Sequence, residues 1–578
     1  MKRIKNGLIT ACAALALASC GGGDGSSNTP PTGGGGTATP APSPTPAVSL
    51  VVETRDEAAQ FLQRAGFGGS EADIDALVGR SAAAWLQDQM RLPYDPIVAE
   101  LQRRRQAGGM VVNHEVNRGH VAVWWDRAMA GHDPLRQRAI FALSQIVVAS
   151  DSGDSNAWRQ GYYIDTLGQN AFGNYRDLLT DVTLTPAMSR YLTFFGKRVR
   201  EGTSLQPDEN YARELMQLFT IGLYELNMDG SRKLDSAGNP IETYSNVDVE
   251  GLAKVFTGYG YDPALDETTR GHSPIVVADE KWHSTQEKWF LGKTIPANTD
   301  SKTSLTQALD HVFAHKNVAP FVARQLIQRF TQSAPSPGYV ERVATAFETG
   351  RYRAADGTTF GTGERGDLAA SFAAVLLDPQ FFDDTPPTER EGKIREPVLR
   401  LVHWGRAMEV ANVDSLNEWW LIYETGRASR LGQSPFGAPS VFNFYRPGNI
   451  ASGTQTGEAG LTAPEFQIMN EASHSGFANF LYSFVFDTSP QRDRARESYR
   501  TDYADERALA ADPGALVDHL DRKLMGGGMQ GQTRSNIVDA LNRIAIRERE
   551  DLAAQDIAAR ANLAVYMAVT APEFAMQY

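Results

Sequence analysis

Apolar residues recur at three-and-four spacing along most of residues 51–578, interrupted by Gly and Pro, which is the pattern of helices that bury one face. The clearest segments are Ala58–Ala65, Asp73–Val78, Leu135–Val148, Ala319–Phe330, Leu368–Leu377, Pro397–Val410, Thr533–Ile546 and Leu552–Val569. The period changes around residues 226–295. There Asp229-Gly230 and Ala237-Gly238-Asn239-Pro240 are turn signals bracketing Lys233-Leu-Asp and Ile241-Glu-Thr-Tyr, which reads as a small β-hairpin. Ile275-Val-Val and Trp289-Phe-Leu read as further short strands. The expected fold is mainly α, a multi-helix globular domain with a minor β excursion. Its length exceeds what one core usually serves, so two lobes, near 51–330 and 331–578, are expected.

One segment places a charge on an apolar stripe. Pro207 to Gly222 reads as a single helix, with Pro207 and Asp208 suited to its start and Gly222 to its stop. At about 100° per residue, Leu215, Leu218, Phe219 and Ile221 cluster around Tyr211, and Glu214 falls within their arc. Glu209 and Arg213 fall on the opposite side. A carboxyl aimed at a core must be paired, hydrogen-bonded or protonated, so Glu214 is the first candidate for chemistry. The competing reading is a buried ion pair with an arginine such as Arg324, which would fix the structure without reacting.

Partners for Glu214 must come from elsewhere in the chain. Asp248 is one, although Ser245-x-x-Asp248 is also a capping box in which the acid bonds the helix start. His283, near Trp282 and Trp289, is another and would act as a base near neutral pH. His311 and His315, four apart and near Asp310, have a spacing that binds zinc on a helix. They lack the intervening glutamate, and Asn317-Val-Ala-Pro320 looks like a new helix start that leaves His315 in a turn, so no metal is assigned. His114 and His120 make no ligand pattern. No phosphate-binding or nucleotide fingerprint is present, Gly526-Gly-Gly528 reads as a turn, and no cofactor is expected. Trp124-Trp125, Trp158, Tyr162-Tyr163, Asn170 and Asn174 suit either a sugar cleft or ordinary helix packing.

The first fifty residues supply an address. Lys2, Arg3 and Lys5 precede an apolar stretch, Leu8–Leu17, that ends in Leu17-Ala18-Ser19-Cys20. This resembles a bacterial lipoprotein signal, which implies cleavage after residue 19 and lipidation of Cys20, giving a stable membrane anchor. Gly21 in place of aspartate implies the outer membrane of a Gram-negative envelope. An ordinary signal peptide with a chance cysteine is the bland alternative. The only other cysteine, Cys12, lies inside the signal, so the mature chain would hold no internal disulfide. Residues 20–50 are rich in Gly, Ser, Thr and Pro, and such a tether of thirty or so residues spans about 30 Å as a coil.

Loss of the three basic residues of the signal moves the formal charge from −13 to −16. That balance argues against nucleic acid as a partner. A local basic groove stays open, for example around Arg103-Arg104-Arg105, where a solvated helix face is the plainer reading.

Several blocks in order carry a family resemblance. Arg64-Ala-Gly-Phe-Gly68, Asn210-Tyr-Ala-Arg-Glu214, Tyr244…Asp248-Val249…Ala253…Thr257-Gly258, Lys288…Leu291-Gly292 and Leu461…Pro464-Glu-Phe-Gln467 resemble successive blocks of the bacterial family called domain of unknown function 1800. The resemblance implies an exported protein with no established activity, often encoded beside an exported family similar to sulfatases. Tyr259 stands where that family usually has tryptophan. Lys254 stands where it often has arginine, which removes the planar fork of a bidentate anion contact.

Together these features lead us to expect a lipid-anchored envelope protein that processes a surface polymer or glycan. Glu214 would be the buried acid, Asp248 or His283 its counterpart, Arg213 the orienting cation, and Glu209 a further carboxylate of the same helix. The alternative is a non-catalytic scaffold or binding lipoprotein that docks a sulfatase-like exported partner.

Overall fold

Polar side chains at helix starts set the framework. Thr54 accepts the Glu57 N–H ahead of the helix Arg55–Ala65, Asp300 caps Ser301–Phe313, Ser336 caps Pro337–Thr349 and Asp367 caps Leu368–Leu376. Each cap takes over a backbone donor that a helix cannot satisfy internally. The computed structural model describes residues 49–107, 119–152, 156–199, 205–266, 270–382, 392–412, 422, 425–486 and 499–577. The signal, Cys20, the tether up to residue 48 and His114 lie outside the described residues. Leu50, counted with the tether by composition, is buried, and its carbonyl accepts the Ala82 N–H at 2.8 Å.

The protein is mainly helical. Helices stand where the periodicity put them: Glu71–Leu77, Pro134–Ser144, Val318–Phe330, Pro397–Ala407, Gly531–Asn542 and Glu550–Val569. Val318–Phe330 packs against Pro337–Thr349, which packs in turn on Leu368–Leu376, while Arg55–Ala65 lies against Pro513–Met525. Residues 48–578 make one compact unit. Trp124 and Trp125 are sealed within it, Trp158 is nearly so, and Asn174 caps the helix Tyr175–Thr183, so the aromatic run at 124–174 serves largely as core and cap. No helix among the described residues is long and apolar enough to cross a membrane.

Strands are short and pair two by two. Lys288–Phe290 runs antiparallel to Lys293–Ile295, and Tyr259–Gly260 to Val277–Ala278. The expected hairpin exists as isolated bridges, Tyr224 with Glu242, Leu226 with Arg232 and Leu234 with Pro240. Both turns between them close at glycines with positive φ, Gly230 at 77° and Gly238 at 84°.

A sealed ionic cluster joins distant segments. Lys393 Nζ lies 2.5 Å from Glu465 Oε1 and donates to the Gln328 carbonyl at 2.7 Å, and all three side chains are inaccessible. Glu396 accepts from the Tyr445 hydroxyl at 2.8 Å and from Gln145 at 2.6 Å. Burial alone would raise the Glu396 pKa, but Lys393, Arg138 and Arg329 hold it below the usual range.

Candidate functional site

The Glu214 segment is not the uniform helix expected from its sequence. Asn210–Glu214 is α-helical, and Leu215–Thr220 then widens into a π-helix. A π segment loosens the ladder and frees carbonyls, and here neighbours take them up. The Tyr175 hydroxyl donates to the Phe219 carbonyl at 2.7 Å, Gln325 to that of Leu218 at 3.2 Å, and Asn317 to that of Ile221 at 2.9 Å. Gly222 closes the segment at φ 70°, with its N–H bonded to the Met216 carbonyl at 3.0 Å. Tyr211, Leu215, Phe219 and Ile221 are buried as the spacing predicts, while Leu218 is only partly covered and Met216 replaces it in the core. The π register turns Leu218 off the face that a 100° wheel gives it.

Glu214 sits at the α-to-π junction and is 7 % exposed. Its Oε2 is sealed with no hydrogen-bond partner, and no ion pair to it exists among the described residues. Arg324 does not reach it as an ion pair. Burial raises the Glu214 pKa, and the nearby Arg213 offsets only part of that. Tyr191 and Tyr244 are the phenols that feel its charge. Burial first, and the Glu214 carboxylate second, push Tyr191 up to about 12. Burial likewise lifts Tyr244 to about 12, and its hydroxyl donates to Gln217 Oε1 at 3.0 Å. Arg213 itself pairs with Glu209 at 3.0 Å on the outer face of the helix, where both are more than a third exposed.

The other candidates are engaged elsewhere. Asp248 Oδ2 accepts the Ser245 N–H and hydroxyl, each at 2.8 Å, and Oδ1 accepts the Leu291 N–H at 2.6 Å. Burial opposes ionisation, but these backbone donors hold the Asp248 carboxyl below the usual carboxylate range. His283 is buried, with Nδ1 3.0 Å from the Thr257 carbonyl and Nε2 3.3 Å from Ser304 Oγ. That pairing assigns the proton to Nδ1 and makes Nε2 an acceptor. Burial lowers the His283 pKa, so the ring is held neutral. Glu214, Asp248 and His283 therefore do not converge on one hydrogen-bonded constellation.

The remaining motifs resolve as structure. His311 Nε2 is 2.9 Å from the Leu291 carbonyl, and His315, past the end of its neighbour's helix, accepts the Asn317 N–H at 3.2 Å. Asp310 pairs with Arg176 at 2.8 Å. Among the described residues no group of histidines, cysteines and carboxylates is placed to hold a metal. Glu100 pairs with Arg103 and with the buried Arg104, which also reaches Asp126 at 2.7 Å, so that basic run is laced with acids. Gly526 and Gly527 have positive φ and end the helix Pro513–Met525 in a turn. Lys254 donates to the Glu287 carbonyl at 3.1 Å, and Tyr259 is buried.

The fold and the site thus define a mainly helical framework around a half-sealed carboxyl. The chain belongs to the family described as "Protein of unknown function (DUF1800)", whose model matches residues 60–576. No curated protein and no solved structure matches it.

Proposed function

We propose that this is an exported protein, anchored to the envelope through lipidated Cys20, in which Glu214 donates a proton during hydrolysis of a surface polymer or glycan. One observation carries the reading: a sealed carboxyl oxygen without a partner, on a side chain whose proton is retained to higher pH than an ordinary glutamate's. Such a group is the acid that glycosidic cleavage needs, since the departing oxygen takes a proton as its bond to carbon breaks. Water supplies hydroxide to the carbon side and its remaining proton to the Glu214 carboxylate, which Arg213 steadies until that proton returns. The π-helix adds support, because such widened turns are frequent at functional positions. Asp248 and His283 are committed to backbone bonds, so the proposed chemistry is carried by Glu214.

A second reading, a non-catalytic lipoprotein that binds a polymer or docks a sulfatase-like partner, is favoured by that same commitment of Asp248 and His283. The deciding experiment incubates wild-type protein beside Glu214→Gln with envelope and extracellular polysaccharides and reads released fragments and retained protein. Fragments from wild type alone support the hydrolase. Retention by both without fragments supports the binding protein. The anchor is tested separately by Cys20→Ser, which should move the protein from the membrane fraction to the soluble one.

A further inference from the structure

A cleft of about 330 Å³ opens between residues 195–198, 258–261 and 277–282, and its walls are tied to one another by backbone bonds. Gly196 N–H donates to the Tyr259 carbonyl at 2.7 Å, Gly258 N–H to that of Lys197 at 2.8 Å, Asp279 N–H to that of Gly258 at 2.9 Å and Val199 N–H to that of Trp282 at 3.2 Å. Gly258, at φ 85°, permits this crossing, since a Cβ there would stand 2.9 Å from the Asp279 carbonyl oxygen. The cleft is therefore formed before any ligand arrives, and its volume lies near the lower end of the ~300–1,000 Å³ usual for small-molecule sites.

The charge in it runs against that of the chain. Lys197, Arg198, Arg270 and Lys281 line it, and Asp279 is the one carboxylate among the described lining residues, in a protein with 69 acidic and 56 basic residues. Lys281 pairs with Asp279 at 2.8 Å and Lys197 with Asp208 at 3.0 Å. The two arginines have no ion pair among the described residues. The Arg198 guanidinium lies 4.7 Å from the centre of the Trp282 ring, and Arg270 spends its Nε on the Leu265 carbonyl at 2.7 Å, leaving its terminal nitrogens for a ligand. Tyr261 completes the wall, its ring 4.8 Å from that of Phe195.

We infer that this cleft binds an acidic sugar unit of a polysaccharide. Guanidinium forks match the geometry of a carboxylate, and the half-buried Trp282 and Tyr261 rings, over which Arg198 and Arg190 lie at 4.7 and 5.3 Å, set an aromatic wall beside the cationic one. The segment that carries Tyr191, whose phenol feels the Glu214 charge, continues into the Phe195–Arg198 wall. The choice of a sugar rests on the proposed function; the choice of an anion rests on the cleft alone.

The test titrates the full chain, purified in detergent, with short alginate oligosaccharides, neutral dextran fragments and a DNA duplex. Wild type should bind alginate, more weakly as salt rises, and should not bind dextran. The double variant Arg198→Gln/Arg270→Gln should lose affinity about tenfold or more, with a thermal midpoint within about 2 °C of wild type. Because binding is read apart from fragment release, failure of this site and failure of the Glu214 hydrolase reading are distinguishable. No alginate binding by wild type, equal binding of dextran, undiminished binding by the double variant, or DNA bound more tightly than alginate and lost in that variant would each overturn the inference.

Discussion

The Asp248 carboxylate accepts the Leu291 N–H at 2.6 Å, across 43 residues of sequence, while its other oxygen closes the capping box with Ser245. One side chain thus starts the helix Asn246–Ala253 and fixes the turn that joins Lys288–Phe290 to Lys293–Ile295. Asp248→Ala should cost about 1–2 kcal/mol in chemical denaturation. Because the folded carboxyl holds its proton less tightly than an unfolded one, its stabilisation is complete above the ordinary aspartate range near pH 4. It is lost as pH falls through the lower folded value. The gap between wild type and Asp248→Ala should therefore narrow in acid, and a gap independent of pH would contradict the assignment.

Glu214 predicts the opposite sign. Its raised pKa means the folded state keeps the proton after the unfolded chain has released it, so stability falls as pH rises above about 4.3 toward the folded value. Glu214→Gln removes that cost. Its thermal midpoint should equal or exceed that of wild type at pH 7.5 and converge with it near pH 4. A lower midpoint at pH 7.5 would reveal a stabilising ion pair.

Gly251 faces the Trp289 backbone so closely that an added Cβ would lie 1.7 Å from its carbonyl oxygen. Neither helix nor strand can yield without breaking the Asp248 contact. Gly251→Ala should destabilise by about 3 kcal/mol, read by urea unfolding, despite the higher helix propensity of alanine.

Lys393→Met leaves Glu465 sealed without its cation. The loss should be about 3–5 kcal/mol, and Lys393→Met/Glu465→Gln should recover part of it. A single variant as stable as wild type would mean that Ser333, 2.9 Å from Glu465 Oε2, suffices alone.

Sequence legibility followed the range of each interaction. Helices such as Val318–Phe330 announce themselves through local period, and Ser245 with Asp248 through a three-residue box. The wheel that put Glu214 on the apolar side was right about Tyr211, Leu215, Phe219 and Ile221, but it assumed α geometry throughout and so misplaced Leu218. The carbonyls that the π turn frees are bonded by Tyr175, Asn317 and Gln325, none of which is local. The Thr257 and Ser304 contacts that occupy His283 are likewise distant in sequence. The cationic cleft left no local signal because Arg198, Arg270 and Lys281 come from separate segments of an acidic chain.

The packing of Arg55–Ala65 on Pro513–Met525 sets the timing of folding. Gln60 donates to the Gly526 carbonyl at 3.0 Å across 466 residues, and Gln63 to that of Leu524 at 3.1 Å across 461. A chain made from its N-terminus must therefore carry this early helix through most of its synthesis with the part of its face that meets Pro513–Met525 unmatched, although Phe61 already meets Trp85. Such a polypeptide completes this part of its native core only once nearly all of it has emerged.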